Sequence, residues 1–108
     1  MRMWHLDLLP QAHAELLGLP ADLQARFLRI AEMLERFGPH AVGMPHVRPI
    51  EGKLWEMRLT GRDGIARALY VSVSQRRLVV LHVFVKRTQK TDRHAIETAL
   101  TRMKRMEK

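Results

Sequence analysis

Glu56 and Arg58 stand two residues apart in the segment Leu54-Trp55-Glu56-Met57-Arg58-Leu59. In an extended strand that spacing puts both on one face. Arg67 interrupts the apolar run Ile65-Ala66-Arg67-Ala68-Leu69-Tyr70-Val71, and Lys86 ends the apolar run of residues 78–85. Arg87 and Lys90 follow at once. If the three runs are neighbouring strands, Glu56, Arg58, Arg67 and Lys86 meet on one patch. Several cations with one carboxylate suit metal-free RNA cleavage. There the 2′-hydroxyl attacks the adjacent phosphate, a base removes its proton and an acid protonates the leaving 5′-oxygen. Fixed cations stabilise the charged phosphorane, and the planar fork of arginine matches two phosphate oxygens at once. DNA has no 2′-hydroxyl, so this chemistry is specific to RNA. The competing reading is a solvated basic rim. Arg67, among apolar neighbours, is either an edge residue whose head reaches water or a functional cation, and spacing alone leaves both open.

Other chemistries are absent from the sequence. There is no cysteine, which excludes disulfides and thiolate catalysis. No Gly-rich phosphate loop, His-Glu-x-x-His or Gly-x-Ser-x-Gly motif occurs. His40 and His46 share one loop, but two histidines without a third ligand do not make a metal site, so no metal or cofactor is expected. His82, inside an apolar strand, is more often a satisfied core histidine than an acid or base. Tyr70 points away from Arg67 in a regular strand, which makes it a core tyrosine with its hydroxyl at a rim.

Charge is the strongest compositional signal. The chain of 108 residues carries a formal charge of +8. Residues 1–38 hold four Lys/Arg against five Asp/Glu, and residues 39–108 hold fifteen against six. The basic half should attract a polyanion or an acidic protein. The opening residues lack the apolar run of a signal peptide. No stretch reaches the roughly 20 apolar residues of a membrane span. With the missing cysteine, this suits a cytoplasmic protein with no membrane partner.

The elements that must position these residues can be read in order. Residues 3–8 alternate weakly and suit a short edge strand. Residues 10–17 suit a short helix opened by Pro10. In residues 21–37, Leu23, Phe27, Ile30, Leu34 and Phe37 recur at helical spacing, and Gly38-Pro39 stops the helix. Residues 38–53, rich in Pro and Gly, read as a loop. Residues 54–60, 65–73 and 78–85 form a three-strand meander, with Asp63-Gly64 as its first turn. The last strand is apolar on both faces, as a central strand should be. Residues 92–106 form a final helix with Thr91 as N-cap and Ile96, Ala99, Leu100 and Met103 as its apolar stripe. Helices followed by a run of strands indicate one α+β domain over residues 1–108. Its sheet is antiparallel, of about three to four strands, with helices on one face.

The segments "GKLWEMRL" (52–59), "ARALYV" (66–71) and "LHVFVKRTQKTDRHAIETALTRM" (81–103) resemble the RelE/ParE toxin superfamily, in its HigB-like, phage-derived branch. Members commonly carry Leu-(Tyr/Trp)-Glu-(Ile/Leu)-Arg, then Arg-x-x-Tyr, then Leu-His-x-Phe-x-Lys-Lys-x-x-Lys-Thr-Pro before an Ala-rich helix. The resemblance covers about residues 20–105, with Asp92 in place of the usual Pro and Arg87 in place of the usual Lys. It implies a RelE-like fold, with an N-terminal helical hairpin on the sheet and a C-terminal helix. It implies the toxin of a type II toxin–antitoxin pair that cuts mRNA on the ribosome without a metal. Its partner would be a HigA-like antitoxin with a helix-turn-helix domain, and the toxin would be a monomer or part of a hetero-oligomer with it. ParE-like relatives poison DNA gyrase instead, and a non-catalytic RNA- or partner-binding relative is a further reading. Carried over by position, Arg67 matches the arginine that contacts the scissile phosphate. Arg58 and Glu56 match the active face of the preceding strand, and Lys86 and Arg87 the basic pair ending the central strand. Lys90, Arg62 and Arg93 are expected to add phosphate contacts. His94 is the one candidate for the C-terminal Tyr or His that RelE-type toxins often use, and it is not assigned a catalytic role. The identity of the general base stays open. Arg67→Ala is expected to abolish toxicity without unfolding the protein.

Overall fold

A computed structural model describes residues 3–86 and 90–106. Its elements in chain order are β1 (His5–Leu8), α1 (Pro10–Leu17), α2 (Ala21–Phe37), α3 (Pro39–Val42), β2 (Val47–Glu51), β3 (Leu54–Thr60), β4 (Ile65–Val73), β5 (Arg77–Val85) and α4 (Arg93–Met106). The sheet runs β1-β5-β4-β3-β2. It has five strands, more than the three or four expected, and it is mixed: β1 pairs with β5 in parallel, the rest antiparallel. The added strand is β2, inside the segment read as a loop. Pro49 hid it. A proline removes one ladder donor, which an edge strand tolerates, and β2 is an edge that shifts register between Pro49 and Glu51.

Helices cover both faces of the sheet, not one. Leu16, Leu23, Phe27, Ile30 and Leu34 of α1 and α2 pack with Met57, Leu59, Ala66, Ala68, Tyr70 and Val80. On the opposite face Ala95, Ile96 and Ala99 of α4 pack with Leu54, Leu69, Val71, Val79 and Leu81. This is why residues 78–85 are apolar throughout: a strand covered on both sides has no polar face. Phe37, assigned to the buried stripe, is instead 60% exposed. Its helix ends there, and Gly38 turns at φ +82 against Trp4, whose indole Nε1 lies 2.6 Å from where a Cβ would stand.

Two local devices set the geometry of β5. Leu9 N–H donates to Val80 O at 3.0 Å. Pro10 then opens α1 and turns the chain out of the parallel ladder, so β5 outlasts its partner. Beyond that point side chains serve the open edge: Glu15 Oε1 accepts from Val83 N–H at 3.0 Å and Arg102 Nη1 donates to Leu81 O at 2.9 Å. The second device is a bulge. Tyr70 faces Val80 while Leu69 faces His82, so Leu81 is the extra residue. A bulge re-aims the side chains that follow it. Val79 and Leu81 pack under α4, and after the bulge His82 lies on that same face, opposite Leu69. Regular alternation would have sent it to the other core with Val80.

Candidate functional site

The sheet face under α4 carries the charged residues. Arg58 pairs with Arg67 across β3 and β4, Glu56 with Arg48 across β3 and β2, and Arg67 with Phe84 across β4 and β5. Directly opposed residues share a face. Lys86 follows β5 and is fixed by its N–H donating to Ile65 O at 2.8 Å. A cleft of about 130 Å³ results, lined by His46, Arg48, Glu56, Arg58, Arg67 and Lys86 among others. A second cleft of about 200 Å³ adjoins it under the start of α4, lined by His82, Phe84, Lys90, Asp92 and His94 and again by Arg67 and Lys86. The two clefts meet at the shared cations.

Glu56 and Arg67 form the floor. Each is only 3% exposed. Arg67 Nη1 donates to Glu56 Oε2 at 2.6 Å, and Arg48 Nε donates to Glu56 Oε1 at 2.9 Å. The Thr91 hydroxyl donates to Glu56 Oε2 and accepts from Arg67 Nη1. Burial by itself would raise the pKa of Glu56, but the hydrogen bonds from Thr91, Arg67 and Arg48 outweigh it and hold the carboxyl below its ordinary range. Both of its oxygens accept hydrogen bonds, so it is an anion anchored among donors. Lys86 is shifted the other way for an amine. Partial desolvation and the charges of Arg67 and Arg58 lower its pKa, because a third cation is disfavoured there.

Glu56, Arg58, Arg67 and Lys86 are therefore brought together, and Lys90 reaches the adjoining cleft. Arg62 and Arg93 do not line either cleft. Arg62 is exposed at the β3–β4 hairpin tip, where its N–H donates to Asp22 Oδ2 at 2.7 Å. Arg93 is engaged by Glu51 at 2.7 Å. Arg87 lies outside the described residues. Thr91 is not the N-cap: Asp92 Oδ1 accepts from His94 N–H at 3.0 Å, which releases the Thr91 hydroxyl to the Glu56–Arg67 pair. Tyr70 is a core residue, but its hydroxyl is not at a rim; it is fully buried with no hydrogen-bond partner among the described residues. Sequence reasoning missed Arg48, Thr91 and the partners of His82. Arg48 sits between Pro45 and Pro49, in a stretch whose only strand signal is Val47 followed by a charge. Thr91 gave the signal of a cap. Among the described residues no group of three His, Asp or Glu is placed to hold a metal.

The fold is that of RelE. A double arginine-to-alanine mutant of the E. coli toxin RelE in the free state superposes with a TM-score of 0.69 at 14% identity, over 95% of this chain and 99% of that one. The RelE–RelB complex from the archaeon Pyrococcus horikoshii contains a chain that superposes with a TM-score of 0.59 at 22% identity, over 77% of this chain and 94% of that one. No curated protein is significantly similar in sequence. The family described as Phage derived protein Gp49-like matches residues 14–104. With that match spanning most of its length, the chain belongs to the phage-derived Gp49-like family.

Proposed function

We propose that this protein is the toxin of a toxin–antitoxin pair and acts as a metal-independent endoribonuclease on mRNA in the translating ribosome. The observation that carries the reading is the convergence of Arg48, Arg58, Arg67 and Lys86 over one buried carboxylate. A lone solvated rim would not need Glu56 beneath it, tied by three side chains. Arg67 is held by Glu56 and Thr91, and with Arg58 and Lys86 beside it in the cleft the three cations are placed to receive a phosphate and to stabilise the charge that grows on it as the 2′-oxygen attacks. Glu56 acts through Arg67 and is a positioning residue rather than the base. RelE of E. coli is a toxin, and the archaeal RelE is bound to RelB. By that likeness the partner here is a cognate antitoxin, of the HigA-like helix-turn-helix kind, that covers the basic face. The ribosome and mRNA are the other partners, in the cytoplasm.

Cell-free translation of a defined mRNA, with new RNA ends mapped, tests the reading. The wild type should cut only while translation proceeds. Lys86→Ala and Arg58→Ala, both at accessible positions, should cut about 10²–10³-fold more slowly and melt as the wild type does. Intact mRNA with the folded wild type would sink the nuclease, and inhibition of DNA supercoiling would then place the target elsewhere.

A further inference from the structure

The Glu56 oxygens are all engaged, and nothing described so far accepts a proton from the 2′-hydroxyl. The bulge at Leu81 supplies a candidate. It turns His82 onto the cleft face, where the ring lines the same cleft as Arg67 and Lys86. His82 Nδ1 lies 3.0 Å from Glu15 Oε1 and 3.1 Å from Glu15 Oε2. Glu15 is itself pinned. Arg102 Nη1 and Nη2 reach its two oxygens at 2.9 and 3.0 Å, and Val83 N–H donates to Oε1. Arg102 Nη1 also lies 3.4 Å from Nδ1, but the two carboxylate contacts are the closer ones, and they favour the tautomer with the proton on Nδ1 and Nε2 as the basic nitrogen. The ring is fixed further by stacking on Phe84, centroids 5.0 Å apart, and is 14% exposed. Nucleophile activation elsewhere uses this same order of groups, an imidazole oriented by an anchored carboxylate. A histidine needed only to fill the core would have been served by regular alternation into the apolar layer around Val80.

We infer that His82, oriented by Glu15, is the general base of RNA cleavage at this site. The inference rests on the nuclease reading above. His82 Nε2 takes the proton of the 2′-hydroxyl, and the 2′-oxygen forms its bond to phosphorus. The bond from phosphorus to the 5′-oxygen breaks with its electron pair going to that oxygen, which takes a proton from the Lys86 ammonium. The products are a 2′,3′-cyclic phosphate and a 5′-hydroxyl. His82 then releases its proton to water and Lys86 regains one. The charged and titratable groups around the ring are Glu15 from α1, Arg102, His94 and Asp92 from α4 and its N-cap, Lys90 from the segment before it, and Arg67 and Lys86 from the sheet.

The test is the single-turnover rate of cutting a defined mRNA on translating ribosomes, measured against pH for wild type, His82→Gln and Glu15→Gln. His82→Gln should cut about 10²–10⁴-fold more slowly and lose the fall in rate toward acid pH, with ribosome binding unchanged. Glu15→Gln keeps an acceptor for Val83 and Arg102. It should cut at an intermediate rate, because the imidazole loses the carboxylate that orients it, with ribosome binding unchanged. If the wild type cuts and a folded His82→Gln matches its rate and profile, the base assignment falls and the nuclease stands. Should His82→Gln not fold, a Glu15→Gln profile superimposable on the wild type overturns the assignment by itself. If the wild type leaves mRNA intact, both readings fall together.

Discussion

Arg67 and Tyr70 are three residues apart on one strand and sit in opposite predicaments. Arg67 is buried but bound, and its charge is balanced by Glu56. Removing one partner of a buried pair leaves the other uncompensated, at about 3–5 kcal/mol. Arg67→Ala should therefore lower stability by that amount, so loss of activity in that variant does not by itself report chemistry. A urea titration checks it, and a midpoint equal to the wild type would show that Arg48 and Thr91 suffice for Glu56. Tyr70 is buried and unbonded among the described residues, and burial drives its pKa well above that of a free phenol. An unsatisfied buried hydroxyl costs about 1–3 kcal/mol. Tyr70→Phe removes it and keeps the stacking on Trp55, whose ring centroid is 6.3 Å away. Its melting temperature should equal or exceed that of the wild type, and a clear drop would mean that the hydroxyl has a partner.

At the scale of elements, turns hold the sheet in register. The β4–β5 connection, Ser74 to Arg76, places Gln75 at φ 62 and Arg76 at φ 57, both in the left-handed region. Asn and Gly adopt that region with far less strain than Gln and Arg. The double substitution Gln75→Asn, Arg76→Gly should stabilise the protein by about 1 kcal/mol. That is about 4–8 °C in melting temperature for a domain of this size. An unchanged or lower value in a calorimetric scan would show that other contacts hold these side chains. The β3–β4 hairpin is held differently. Gly61 lies so close to α2 that a Cβ would stand 2.6 Å from Asp22 Oδ2 and 2.7 Å from Leu23 Cδ2. The hairpin that carries Arg58 and Arg67 is thus braced against the helix behind it.

For the molecule as a whole, two glutamates tie stability to pH. Burial raises the pKa of Glu15, but Arg102, the Val83 amide and His82 pull it lower overall, and Glu56 is lowered likewise. A carboxyl depressed in the fold binds protons less readily than in the open chain. Its stabilisation is complete above the ordinary glutamate range of about 4.3 and is lost as pH falls through the depressed value. The melting temperature should hold from neutral pH to about 5 and then fall. Glu56→Gln should lower the plateau and flatten that fall; an acid limb as steep as the wild type would show that other groups carry it. The formal charge of +8 adds a second dependence. Binding to RNA should weaken steeply with salt, with a slope that becomes shallower by about one unit in Lys86→Ala.

Periodicity and composition determined the helices of residues 10–17 and 21–37, the three-strand meander, the α4 stripe and the basic half of the chain. Those signals are local: a helical stripe and a strand alternation are written within ten or twenty residues. Motif spacing also assembled Glu56, Arg58, Arg67 and Lys86, because neighbours in a meander meet by register. Only the tertiary structure decided the rest, since each remaining choice depends on residues distant in sequence. β2 is a strand because β3 offers it an edge. Thr91 serves Glu56 because Asp92 takes the cap. Glu56 is an anchored anion, and not a free carboxylate on a solvated face, because Arg48, Arg67 and Thr91 close over it. His82 faces the cleft because one extra residue in β5 reverses the alternation, and it is held there by Glu15, 67 residues away in the chain.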